Sequence, residues 1–159
     1  MAFRAKAPDV AELTAGDPPE VVRENARRKA RAVPGERVIG VDTAVVLDGR
    51  VFGKPRAEAE AERFLRQLSD RTHEVMSGVA LLERGRERTD VAVTRVRFRP
   101  LSRRDLDWYL ASGEWRERAG AYAIQGRGAA LVERIEGDYW NVVGLPVPVL
   151  LRLAPDLLD

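Results

Sequence analysis

The chain has 159 residues, 45% of them hydrophobic and 33% charged, with no cysteine and a formal charge of +2. Length and apolar content support one domain with a buried core over residues 1–159 and exclude a disordered chain. Disulfides and thiolate metal sites are ruled out, no apolar run approaches the ~20 residues of a bilayer span, and the small charge makes no case for nucleic acid; a cytoplasmic protein that meets no membrane is expected.

Phe3 to Ala7 reads as a short edge strand leading to Pro8-Asp9-Val10-Ala11-Glu12. A helix then runs from Pro18 to about Val33, with Asp17 as N-cap, Glu20 completing a capping box and Pro34-Gly35 as its stop. Val22, Ala26, Ala30 and Val33 make one apolar stripe, and Lys29 falls on it. That lysine either snorkels at the core edge or points its ammonium into a cleft. Lysine occurs only at positions 6, 29 and 54 of an otherwise arginine-rich chain. Such sparing use suits compact point charges of the kind that bind phosphate.

Val38 to Leu47 is a near-continuous β-branched run, the pattern of a strand covered on both faces. A single carboxylate, Asp42, interrupts it, and needs a cation or hydrogen-bond donors beside it. Asp48-Gly49 predicts a two-residue hairpin returning through Val51-Phe52, and Pro55 keeps Lys54 extended. An acid and an ammonium group delivered together point to a phosphate-handling site, with any metal held by carboxylates and water, hence magnesium or manganese.

Ala57 to Leu68 is a second amphipathic helix, and Thr72–Glu83 with Glu87–Arg99 an antiparallel pair. Alternation places Thr94, Val96 and Phe98 on one face and Arg95, Arg97 and Arg99 on the other. The arginine row reads as a solvated sheet face; nucleic-acid binding is the weaker alternative, since no stacking aromatics alternate with it. His73, the only histidine, reads as structural. Ser102 to Ser112 is a third helix with Asp105 in the capping-box position, Ala129–Ile135 a strand, and Val149–Leu153 a terminal helix.

Gly40-Val41-Asp42-Thr43, Gly53-Lys54-Pro55, Arg71-Thr72-His73-Glu74-Val75, Ser112-Gly113-Glu114, Ala119-Gly120-Ala121-Tyr122-Ala123-Ile124-Gln125-Gly126 and Asn141-Val142-Val143-Gly144-Leu145-Pro146 follow one another along nearly the whole chain. In that order they resemble the Maf family of nucleoside triphosphate pyrophosphatases. The resemblance implies an α/β fold related to the inosine triphosphate pyrophosphatases, with a mixed twisted sheet, flanking helices and a cleft. It implies a homodimer and hydrolysis of a nucleoside triphosphate to monophosphate and pyrophosphate with a divalent metal cation, Mg2+ or Mn2+. By resemblance Asp42 is the proton acceptor, Lys29 and Lys54 hold the triphosphate, Gln125 lies beside the substrate, and Glu12 is an acidic position that shares the metal with Asp42. Thr43 after the aspartate, together with Gln125, looks like the branch acting on dTTP and UTP rather than on 7-methyl-GTP, although Thr43 also suits an ordinary strand position. Family members open with a strand and a Ser-x-Ser-Pro-Arg-Arg loop that meets the phosphates, and this chain begins after that point. The expectation is therefore an impaired 159-residue form beside an active longer one. It keeps a second reading in play, a nucleotide-binding regulator of septum formation and cell division.

Overall fold

The computed structural model describes residues 4–158. Its order is α1 (Pro18–Arg31), β1 (Arg37–Leu47), β2 (Arg50–Phe52), α2 (Glu58–Leu68), β3 (Thr72–Glu83), β4 (Arg86–Phe98), α3 (Arg103–Leu110), β5 (Val132–Glu136), α4 (Tyr139–Val143) and α5 (Val147–Leu153), with 3₁₀ turns at Ala119–Ala121, Gly126–Leu131 and Pro155–Leu158. The strands form one sheet in the order β2-β1-β3-β4-β5, each pairing antiparallel. Among the described residues no helix is long and apolar enough to cross a membrane.

The long apolar strand is covered on both faces, as its composition predicts. Alternation sends Val38, Gly40, Asp42, Ala44 and Val46 toward α1, and Val45 and Leu47 toward α2. The larger core lies on the α2 side, where Leu65, Leu68, Val75, Val96, Phe98, and Tyr109 pack together. Full burial of each such apolar side chain contributes roughly 1.5–3 kcal/mol. The opposite face is thinner because two glycines let α1 come down onto the strands. A Cβ on Gly40 would lie 2.1 Å from the Ala26 carbonyl oxygen, and one on Gly78 would lie 2.2 Å from that of Val22.

Both hairpins form where turn chemistry places them. Asp48 (φ 51) and Gly49 (φ 74) take the left-handed pair required between β1 and β2, as do Arg84 and Gly85 between β3 and β4. The Ser102–Asp105 capping box is present at α3. The arginine row is neutralised within the fold: Arg95 pairs with Glu136, Arg97 with Asp70 and Glu133, and Arg99 with Asp105. A row so occupied is a poor surface for phosphates.

Several expectations need correction. Arg4 to Ala7 form no strand, and Phe3 lies outside the described residues. The Asp17 side chain makes no cap bond; only its carbonyl is used, accepting from Val21 N at 2.9 Å. Pro19 removes the second-position N–H that the cap side chain would serve, and Glu20 instead pairs with Arg23. Residues 126–131, expected to open a strand at Ala129, wind as a 3₁₀ turn, and β5 begins only at Val132. Gly128 permits this close approach, since a Cβ there would meet the Ala123 carbonyl oxygen at 1.8 Å.

His73 is structural. It is 1% exposed, shares a 2.8 Å hydrogen bond between Nε2 and the Tyr122 hydroxyl, and packs edge-on against Phe98 and Tyr122. Burial lowers its pKa from 6.5 to about 4. The unfolded chain therefore binds more protons than the fold between those values, and stability falls as pH drops through the window. Asp42, whose pKa burial raises, runs the other way. We expect acidification from pH 6.5 to 4 to remove up to about 3 kcal/mol through His73. Urea titrations of the wild type and His73→Gln, which removes the titration, check this: equal pH slopes would refute it.

Candidate active site

Site geometry begins with how closely α1 approaches β1. With Gly40 and Gly78 beneath it, the helix brings Asn25 and Lys29, one turn apart, onto the carboxylate of Asp42. Asp42 is 7% exposed, with each oxygen partnered. Lys29 Nζ donates to Oδ1 at 2.6 Å and Asn25 Nδ2 donates to Oδ2 at 3.0 Å. The same ammonium reaches Glu12 Oε1 at 2.8 Å, so two carboxylates converge on one point. Burial lifts the Asp42 pKa above the ordinary carboxylate range, against the pull of Lys29 and Asn25. Burial also works against the Lys29 charge, but the hydrogen bonds and charges of Asp42 and Glu12 outweigh it and hold that ammonium above its usual pKa. Of the two readings of Lys29, the cleft-facing one is correct.

Asn25 was not anticipated from the sequence. It is 2% exposed, and its side chain brackets one residue of the preceding segment, accepting from Leu13 N at 2.7 Å and donating to Leu13 O at 3.0 Å. That clamp sets Glu12 beside Lys29. The available signal was an amide on the apolar stripe of α1, a costly placement unless all its hydrogen bonds are met.

Beyond this cluster opens a cleft of ≈ 1070 Å³. It wraps around the edge of β1, because β2 pairs only with Val45–Leu47 and leaves the edge at Asp42–Ala44 without a partner strand among the described residues. Asp42 enters from the α1 side. Thr43 points the opposite way, its hydroxyl 2.7 Å from that of Ser77 across the strand pair and close to Gly144. Lys54 and Gln125 line the same cleft, so all six expected residues border one space. They are not one contact cluster: Lys54 is exposed and pairs loosely with Glu117 at 3.3 Å. Arg56 and Arg118 also line the wall, and neither has a side-chain ion pair among the described residues. Neither stands out in the sequence, since arginine is too common in this chain to mark a site.

Loops rather than regular elements shape the far wall. The Gly53 carbonyl accepts from Gly120 N at 3.1 Å, tying the Lys54 corner to the 119–126 stretch. Gly120 (φ 67) sits so close to Val45 that a Cβ would lie 2.7 Å from its side chain. Val142, Val143 and Gly144 close the remaining side, carried by α4, which Asn141 anchors through bonds of 2.9 Å to Val75 O and to Thr94 Oγ1.

No group of three or more His, Cys, Asp or Glu side chains able to hold a metal occurs among the described residues. The Lys29 ammonium holds the point between Asp42 and Glu12, but their remaining carboxylate lone pairs suit a magnesium-type ion, since such ions commonly take one or two carboxylates with substrate phosphates and water completing the shell. The arrangement thus combines a buried carboxylate of raised pKa, a partly buried ammonium and a wall of cations, which suits hydrolysis of a polyanion.

The Maf-like protein family model matches residues 1–157. Among curated relatives, the dTTP/UTP pyrophosphatase of Symbiobacterium thermophilum is 51% identical over 151 residues, covering 91% of this chain and 78% of the relative. That of Halalkalibacterium halodurans is 49% identical over 137 residues (84% and 72%), and that of Pyrococcus furiosus 44% over 141 (86% and 74%).

Proposed function

The chain belongs to the Maf family, and from that premise we propose that it hydrolyses dTTP and UTP to the monophosphate and pyrophosphate. The observation that carries the reading is Asp42, a buried carboxylate with one oxygen on Lys29 and the other on Asn25, opening onto a cleft walled by Lys54, Arg56 and Arg118.

In the reaction a water oxygen bonds to the α-phosphorus, the bond from that phosphorus to the bridging α–β oxygen breaks, and pyrophosphate leaves. Asp42 takes the proton of the attacking water; its raised pKa makes it a better base than a surface carboxylate. Its two hydrogen bonds fix the carboxylate plane, leaving the remaining lone pairs for the water. Lys29 balances charge beside the reacting phosphate, while Lys54, with Arg56 and Arg118, holds the outer phosphates. A divalent cation, Mg2+ or Mn2+, would be held by Asp42 and Glu12, where it would polarise a phosphate oxygen or the water. Thr43 and Gln125, on the other side of the β1 edge, face the base and support the choice of uracil and thymine nucleotides.

The test is a panel of nucleoside triphosphates with Mg2+ or Mn2+, following pyrophosphate and monophosphate together. Equal amounts of both, formed fastest from dTTP and UTP, are expected. Orthophosphate as the product would overturn the reaction, and dTTP binding without turnover would favour the regulator.

A further inference from the structure

The Ser112-Gly113-Glu114 motif has no part in that chemistry, yet the fold aims it at the base side of the cleft. Gly113 (φ 72) turns the chain out of α3. The Ser112 hydroxyl donates to Tyr109 O at 2.5 Å and accepts from Glu114 N at 3.1 Å, so the turn has one direction. The Glu114 carboxylate then spans the start of the 3₁₀ turn: Oε1 accepts from Arg127 N at 3.1 Å and Oε2 from Gly128 N at 3.2 Å. Gly126 (φ 76) lies directly against it, with room for no Cβ, which would meet Oε1 at 2.8 Å. At the other end of the same loop Ala123 N donates to the Tyr109 hydroxyl at 3.1 Å, while back at the Glu114 end the Arg127 guanidinium lies over Trp108, 5.4 Å from the ring centroid. Residues 123–128 are therefore held at three points by α3 and the turn that follows it, and Gln125 stands at the middle of the held span.

Resting on the pyrophosphatase reading, we propose that Glu114 is a positioning residue for base selection: its carboxylate fixes the 123–128 loop so that Gln125 and the loop backbone present one donor–acceptor pattern to the base. The physical need is specific. A glutamine amide offers a donor and an acceptor that exchange places by rotation, so alone it satisfies uracil and cytosine equally. Rejecting cytosine requires neighbouring backbone groups in fixed places, leaving an unpaired polar group when the wrong base enters. Two charge-assisted bonds from successive backbone amides to one carboxylate supply that rigidity.

The experiment compares wild type, Glu114→Gln and Glu114→Ala on UTP, dTTP and CTP, with melting temperature and amide hydrogen exchange recorded for each. Glu114→Ala is expected to lower kcat/KM for UTP about 10- to 100-fold, the scale of a small misplacement of a binding group, with CTP changed less than about threefold. The UTP:CTP preference then collapses by at least about threefold, and Glu114→Gln, which keeps one acceptor oxygen, falls between. Protection of the Arg127 and Gly128 amides drops in parallel. Uniform loss on all three nucleotides with a lowered melting temperature would overturn the proposal in favour of a fold role, as would an unchanged UTP:CTP ratio. A wild type that releases pyrophosphate from none of them fails at an earlier step, removing the pyrophosphatase reading and this role with it.

Discussion

Asp42→Asn is expected to lower pyrophosphate release from dTTP by about 10³-fold, within the range that a positioned general base contributes. The substitution keeps size and shape while removing the negative charge that accepts the proton and would face the cation. Its carbonyl oxygen still accepts from Lys29, so the ammonium remains in place with Glu12 as its second partner. The amide end then meets Asn25 Nδ2, a donor facing a donor, and that lost bond with relief of a buried charge leaves the fold within about 1 kcal/mol of its starting stability. Unchanged melting and dTTP binding within a few-fold of wild type, by calorimetry, would therefore separate chemistry from folding. Turnover at the wild-type rate would remove Asp42 from its role.

That site was legible in the sequence to an uneven degree, and the pattern has physical causes. Asp42 stood out because an acid in a β-branched run violates the burial rule, and such a violation needs a reason. Lys29 stood out because lysine is rare here. Their meeting followed from neither fact alone; it depends on Gly40 and Gly78, whose small size becomes informative only once the helix lies over them. Asn25 was hidden by its own fitness, since a fully hydrogen-bonded amide on an apolar stripe looks like a neutral surface residue in one dimension. Helices α1, α2 and α3 and the four strands from Arg37 to Phe98 were readable from periodicity and turn residues. By contrast α4, five residues long, shows too little of any period, and the 3₁₀ turns at Ala119–Ala121 and Gly126–Leu131 follow from close backbone approaches that no local propensity encodes.

Gly78→Ala is expected to destabilise the protein by at least about 3 kcal/mol, a large share of the 5–15 kcal/mol typical of a whole domain. The new methyl would lie 2.2 Å from the Val22 carbonyl oxygen, 2.4 Å from its carbonyl carbon and 2.7 Å from Arg23 N. All three are helix backbone atoms, which no side-chain rotation can move aside. The strand also has no room to yield, because β3 is central and hydrogen-bonded to β1 and β4 along its length. Relief therefore requires α1 to rise from the sheet, opening the Val22, Ala44, Val46 and Met76 cluster and drawing Asn25 and Lys29 away from Asp42. Activity should fall along with stability, and by more than the folded fraction explains, since a displacement of about 1 Å at a positioned group can lower turnover 10²-fold. Gly53→Ala is the matched comparison: no atom lies within 4 Å of a Cβ there, so its urea midpoint should stay at the wild-type value. A Gly78→Ala protein with wild-type midpoint and turnover would mean that α1 does not rest on the sheet as closely as the site requires.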